Sequence, residues 1–147
     1  MRLLDVNVLV ALAWPNHIHH RRADAWFRSI RQTGWATCPV TESGFVRISS
    51  NAKALDDALM PQEARVLLRR VRDMPGHVFW SDDVSPAAPR ESASAESAFA
   101  KVVGYRQFTD AHLLTLAMDR GGRLATFDEG VAQLTPPGAS DAVEVIP

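Results

Sequence analysis

Short apolar runs alternate along the chain with amphipathic stretches, the pattern of an α/β fold whose sheet is mainly parallel. The apolar runs predict strands at Leu3 to Leu4 running into Asp5, Trp35 to Cys38, Val78 to Trp80, Leu124 to Phe127 and Val143 to Ile146. Between them the apolar positions recur at helical spacing. Asn16 is placed to cap a helix through HIHHRRADAWFRSIRQ, with Ala23, Trp26, Phe27 and Ile30 on one face and Gly34 ending it. Thr41 is placed to cap ESGFVRIS, Pro61 to open PQEARVLLRRVRD, and Thr109 to cap DAHLLTLAMDRG before Gly121 and Gly122. The stretch VSPAAPRESASAESAFA, residues 84–100, is rich in Ala, Ser and Pro, and reads as a loop leading into a short helix from Ala95 to Val102. No internal repeat or linker divides the chain.

One apolar run is interrupted. RLLDVNVLVALAW, residues 2–14, carries Asp5 and Asn7 inside an otherwise continuous hydrophobic segment. Arg2 followed by such a run resembles a secretory leader, but the carboxylate and the amide break the apolar stretch that a leader needs. No other run approaches the roughly 20 apolar residues of a membrane-spanning helix. A cytoplasmic protein is expected. With 147 residues and 46% hydrophobic content, one core can close. Cys38 is the only cysteine, which excludes an internal disulfide and a cysteine-built zinc or iron–sulfur site. A formal net charge of -1 excludes nucleic-acid binding by bulk charge and leaves local basic patches as the means.

The acids give the interruption a meaning. Asp5 ends the first strand, Glu42 follows the second and the turn at Pro39, and Asp128 follows the strand LATF. In a parallel sheet all carboxyl ends lie along one edge, where open α/β folds place their sites. Asp110, at the start of a helix, is a fourth acid expected there. Helix starts favour negative charge, so Glu42 and Asp110 are expected to stay ionised. Carboxylates 4 Å apart repel by roughly 4 kcal/mol per pair at an effective dielectric of about 20. A cation must offset that repulsion. An all-oxygen donor set selects a hard ion, Mg²⁺ or Mn²⁺, which binds phosphates and activates water for in-line displacement at phosphorus. The chemistry implied is phosphodiester hydrolysis, with Asn7 as a neutral hydrogen-bonding neighbour of Asp5.

The four segments LLDVNVLVALAWPNH, CPVTESGFVRISSN, FTDAHLLTLA and GGRLATFDEG, in this order, resemble the signature of PIN-domain ribonucleases, and specifically of the VapC toxins of bacterial toxin–antitoxin pairs. The resemblance spans nearly the whole chain and implies a single PIN domain over residues 1–147. Its fold would be a PIN-like α/β/α sandwich with a mainly parallel central sheet flanked by helices. The family's acidic cluster falls on Asp5, Glu42, Asp110 and Asp128, and its polar partner on Asn7. The stretch at 84–100 departs from the family, being longer than the usual connection before the third motif. The resemblance further implies an endoribonuclease that cuts structured RNA such as tRNA or ribosomal RNA, and a homodimer. A VapB-type antitoxin would block the site, in a heterotetramer or larger assembly.

Other polar residues carry less. Thr41, Thr109 and Thr126 read as caps and local partners able to support the acids, and Arg47 as a possible substrate contact five residues after Glu42. His17, His19 and His20 fall on the first turn of the predicted helix, which argues against a metal tract. His112 lies about 200° around its helix from Asp110 and is expected to face solvent or an interface. Asp82 and Asp83 read as a solvated turn. Arg21, Arg22, Arg28 and Arg31, and again Arg65, Arg69, Arg70 and Arg72, are either solvated helix faces or phosphate contacts. Trp14, Trp26, Phe27 and Phe45 are assigned to the core. Two other functions fit the acids: a Mg²⁺-dependent phosphohydrolase of small phosphoesters with Asp5 as nucleophile, and a non-catalytic module that docks a partner's arginine. The first is weakened by Asn7 standing where a second Asp is needed, and by the lack of a Gly-rich phosphate loop.

Overall fold

The computed structural model describes residues 1–87 and 98–147. Five short strands, β1 (Arg2–Leu4), β2 (Trp35–Thr37), β3 (His77–Phe79), β4 (Arg123–Thr126) and β5 (Val143–Val145), form one sheet in the order β3-β2-β1-β4-β5. Every pairing is parallel. All five strands fall on the predicted runs, each within a residue or two of its expected ends.

Among the described residues five α-helices cover the sheet: α1 (Val6–Ala13), α2 (His20–Ile30), α3 (Pro39–Ser49), α4 (Pro61–Arg72) and α5 (Phe108–Asp119). The period of two along the strands divides the core between the two faces. Leu3, Ala36 and Leu124 pack with Leu113, Leu114, Leu116 and Ala117 of α5. Leu4, Trp35 and Ala125 pack with Val8 and Leu9 of α1, Phe27 of α2, Phe45 of α3 and Leu68 of α4. The result is the expected α/β/α sandwich, and Trp14, Trp26, Phe27 and Phe45 are buried in it as assigned. Among the described residues no helix is long and apolar enough to cross a membrane.

The helix starts differ from expectation. The run after Asp5, to which the sequence reading assigns no element, is helix α1. Val8, Leu9, Val10 and Ala11 are all buried, so no exposed face marks its period. The chain around Asn16 is turns, and α2 begins at His20 with His19 at its N-cap. The expected cap at Asn16 therefore gives way to backbone hydrogen bonds from His17 to Trp14 and from His20 to His17. Thr41 lies inside α3, where its Oγ1 accepts from the Cys38 backbone N–H at 3.0 Å. Thr109 lies inside α5, which starts one residue earlier because a 3-10 helix, Tyr105–Gln107, feeds directly into it. Pro61 opens α4 as expected. Of the helix expected at Ala95 to Val102, residues 95–97 lie outside the described residues, as do 88–94 of the expected loop; Ala98–Lys101 form one 3-10 turn.

One close approach locks the sheet's helices together. A Cβ on Gly44 of α3 would lie 2.6 Å from Cγ2 of Val6, the first residue of α1. Only glycine lets the two helices meet there.

Candidate active site

The strand order reverses direction at β1: the chain runs outward through β2 and β3, then returns to the other side of β1 to lay down β4 and β5. Such a switch point leaves a crevice beyond the carboxyl ends of the two strands beside it. β1 ends into Asp5 and β4 ends at Thr126, two residues before Asp128, so both acids are delivered to that crevice by the register Leu4↔Ala125. Asp110, in the first turn of α5, is the third.

Asp5 is 7% exposed and is held at both oxygens. Its Oδ1 accepts from the Val6 backbone N–H at 2.6 Å, an N-cap contact for α1. Its Oδ2 accepts from Asn7 Nδ2 at 2.8 Å and from Thr126 Oγ1 at 2.7 Å. Thr126 in turn accepts from Asn7 Nδ2 at 2.9 Å and from the Asp128 backbone N–H at 3.1 Å. The Asn7 carbonyl oxygen accepts from the Phe127 backbone N–H at 3.2 Å. Both ends of the Asn7 amide thus tie the start of α1 to the end of β4. Asp128 Oδ1 accepts from the Gly130 N–H at 2.7 Å, so Asp128 also caps the 3-10 helix Glu129–Leu134.

The three aspartates feel one another. Burial raises the Asp5 carboxyl above the usual range; the bonds from Thr126, Val6 and Asn7 oppose that, and the charge of Asp128 adds to it. Asp110 is pushed up to about 6 by burial, then by Asp5 and Asp128. The expected protection of Asp110 by its helix start is outweighed: a helix terminus contributes at most about 2 kcal/mol, and burial plus two like charges exceed it.

Glu42 is held by neighbours of its own. Glu42 is in the first turn of α3. Its Oε1 accepts from Thr37 Oγ1 at 2.6 Å and lies 3.4 Å from Arg72 Nε, and its Oε2 lies 3.4 Å from Arg72 Nη1. Thr37 also meets His77 Nε2 at 2.8 Å. Burial holds the His77 ring below the usual histidine range, with Arg72 adding to the effect and Glu42 opposing it. A cavity of about 450 Å³ lined by Val6, Pro39, Val40, Ser43, Gly44, Arg47 and Thr109 opens between the starts of α1, α3 and α5. Its lining includes Val6, Ser43 and Thr109, the sequence neighbours of Asp5, Glu42 and Asp110, and the exposed Arg47.

The donors offered to a ligand are carboxylate oxygens, which suit a hard divalent cation. Among the described residues no three His, Cys, Asp or Glu side chains converge as a ready cage. Mg²⁺ does not ask for one: it keeps several waters and takes one or two carboxylates together with substrate phosphates. The raised carboxyls of Asp5 and Asp110 fit the same ion, because a cation beside them favours the charged form that burial and the neighbouring acids disfavour.

Several neighbours depart from their sequence reading. Asp82 is not a solvated turn: its Oδ2 lies 2.7 Å from Nε2 of His112, and the two side chains are 11% and 15% exposed. His112 accordingly faces this partner rather than solvent or an interface. Asp83 is exposed, as read, beside Arg120. His19 stacks on Phe127 at 4.8 Å, and Arg22 crosses the same ring at 5.3 Å while donating to the Ile146 carbonyl at 2.9 Å, so this histidine and arginine brace the chain before Asp128. The link from His77 through Thr37 to Glu42 had no sequence signal, because it depends on the pairing of β2 with β3.

The comparisons with known proteins agree with this arrangement. The model of the PIN domain family matches residues 2–135. The chain is 50% identical over 146 residues to ribonuclease VapC38 of Mycobacterium tuberculosis, covering 99% of this chain and 98% of that protein. It is 46% identical over 140 residues to ribonuclease VapC39, covering 92% and 94%, and 38% identical over 138 residues to ribonuclease VapC44, covering 94% and 93%, both of the same organism. From its sheet order, the aspartates at the switch point and these relatives, the chain belongs to the PIN-domain family, on its VapC branch.

Proposed function

We propose that this chain is a ribonuclease toxin of a toxin–antitoxin pair, folded as one domain over residues 1–147, which hydrolyses phosphodiester bonds in structured RNA such as tRNA or ribosomal RNA with Mg²⁺ or Mn²⁺. The observation that carries this reading is the buried Asp5 sharing the switch-point crevice with Asp110 and Asp128, where the charge of Asp128 adds to the raising of Asp5 and those of Asp5 and Asp128 add to the raising of Asp110. The ribonuclease names of its relatives support it.

Asp5 and Asp110 would hold the cation directly, while Asp128 and Glu42 complete the acidic set. A divalent ion, when bound, supplies charge neutralisation for the phosphate and makes water more acidic. Thr126 and Asn7 keep the Asp5 oxygens aimed, which replaces reorganisation at the moment of reaction with prior order. Glu42 or Asp128 takes the proton from the attacking water as the water oxygen bonds to phosphorus and the ester P–O bond breaks, the departing oxygen leaving with its RNA fragment and gaining a proton from solvent. Arg47, in the lining of the cavity, contacts the incoming RNA, and Thr109 supports the acids. A VapB-type antitoxin neutralises the enzyme in the cytoplasm, and a homodimer, joined with antitoxin into a heterotetramer or larger assembly, is the working form.

The test is cleavage of total cellular RNA by antitoxin-free protein with Mg²⁺, Mn²⁺ or chelator, beside Asp5→Asn and Asp110→Asn. Discrete fragments that require both the cation and both acids are expected. A folded Asp5→Asn variant that cuts as fast as the parent overturns the reading, and turnover of a small phosphomonoester in place of RNA favours a phosphohydrolase.

A further inference from the structure

Glu42 is held by a chain of side chains that reaches across two strands. Thr37 closes β2 and is fully buried. Its hydroxyl lies 2.6 Å from Glu42 Oε1 on one side and 2.8 Å from His77 Nε2, at the start of β3, on the other. The proton count sets the direction of both bonds. A threonine hydroxyl has one proton and two lone pairs, and a carboxylate has no proton to give. The short contact to Glu42 therefore takes the Thr37 proton, and the contact to His77 can be a hydrogen bond only if Nε2 carries a proton and donates it to Thr37. The order is His77 Nε2–H to Thr37 Oγ1, then Thr37 Oγ1–H to Glu42 Oε1.

The far end of this chain is fixed by packing. The His77 ring lies against the Trp35 ring, centroids 4.7 Å apart, and Trp35 is itself pinned by donating Nε1–H to the Pro75 carbonyl at 3.0 Å. On the open side of Glu42, the Arg72 guanidinium reaches both carboxylate oxygens at 3.4 Å while lying 5.3 Å over the Phe79 ring. Trp35, Thr37, His77 and Phe79 occupy matched positions in the β2–β3 register and share one face, which is why residues 40 positions apart act on one carboxylate.

We propose that His77 is a positioning residue for Glu42, acting through the Thr37 hydroxyl to hold the carboxylate in the orientation that the acidic site uses. The proposal rests on the reading of Glu42 as a member of that site. Carboxylates that hold cations are themselves hydrogen-bonded, and losing such an outer partner lowers metal affinity or activity about 10- to 100-fold. His77 touches no reacting atom; its effect must pass through Glu42.

The experiment measures Mn²⁺ affinity by electron paramagnetic resonance on the full-length, antitoxin-free chain, with thermal unfolding to certify the fold and ¹⁵N NMR to identify the His77 tautomer. The variants are His77→Phe, which keeps the ring and removes the donor, His77→Gln, whose amide N–H replaces Nε2–H, and each of these combined with Glu42→Gln. His77→Phe is expected to weaken Mn²⁺ binding about tenfold, His77→Gln to restore most of it, and neither to change affinity once Glu42 is Gln. His77 in the parent is expected to be protonated at Nε2. A His77 protonated only at Nδ1, a Gln variant no better than Phe, or an equal loss from His77→Phe in both backgrounds overturns the positioning role and leaves Glu42 in the site. A Glu42→Gln protein that binds Mn²⁺ and cuts RNA like the parent overturns the reading of Glu42 itself, and the inference with it.

Discussion

Thr126 donates its hydroxyl proton to Asp5 Oδ2 at 2.7 Å, joining the end of β4 to the end of β1 at the point where the sheet's order reverses. The same oxygen of Thr126 accepts from Asn7 and from the backbone of Asp128, so one fully buried hydroxyl meets three elements of the candidate site. This bond lowers the Asp5 carboxyl against the larger effect of burial, and its loss would let that carboxyl rise further.

Thr126→Val keeps the shape of the side chain and removes both its proton and its acceptor oxygen. Mn²⁺ affinity is expected to fall about 10- to 100-fold, the usual effect of losing a partner behind a ligating group, while Thr126→Ser retains most of it. Titration of the two variants with Mn²⁺, each shown to be folded by circular dichroism, checks this. Equal affinities would mean that Asp5 needs no support from Thr126.

Asp110 sets a pH dependence with a defined sign. Its carboxyl is raised from 3.8 to about 6 in the fold, so the folded chain holds a proton that the unfolded chain has already lost in that window. The associated stability is full below about 4 and disappears as pH rises through about 6. The move would be worth about 3 kcal/mol at roughly 1.4 kcal/mol for each pH unit, and solvent screening at this half-buried carboxyl reduces it to about 1 kcal/mol. In the presence of chelator, Asp110→Asn is therefore expected to be more stable than the parent at pH 7.5 by about 1 kcal/mol, with the gap closing toward pH 4. Urea unfolding across that range measures it, and a gap that widens on acidification would reverse the assignment. Cation binding has the opposite slope: it displaces the proton, so Mn²⁺ affinity weakens as pH falls below about 6.

Gly44→Ala tests the contact that aligns α1 with α3. The added Cβ would meet Val6 Cγ2 at 2.6 Å, and a β-branched side chain in a helix has little freedom to turn away. Overpacking of this kind costs about 1–3 kcal/mol, against a gain of roughly 0.5–1 kcal/mol from replacing glycine in a helix. A lower Tm is expected, together with weaker Mn²⁺ binding, because Val6 follows Asp5 directly and its backbone N–H bonds the Asp5 carboxylate. An unchanged Tm would show that the helices separate at no cost.

The sequence was most legible where information is local. The five strands were readable because each lies in a short apolar run bounded by turns, and a run needs no partner to be recognised. Helix starts were less so. Asn16, Thr41 and Thr109 have the right chemistry for caps, yet backbone turns before α2, the Cys38–Thr41 contact and the 3-10 helix before α5 set the boundaries. Helix α1 was hidden because burial on every side erased its period.

The sequence by itself determined that Asp5 and Asp128 stand at strand ends and Asp110 and Glu42 in first helical turns, since each position follows from its own neighbours. Only the tertiary structure decided which of them act on one another. The order β3-β2-β1-β4-β5 sets Asp5 beside Asp128 and brings Asp110 to them, while the β2–β3 register links Glu42 through Thr37 to His77 and the packing of α4 on α3 brings Arg72 to it. The physical reason is that strand pairing and helix packing join residues 30 to 120 positions apart through buried area and hydrogen bonds, which no local pattern encodes.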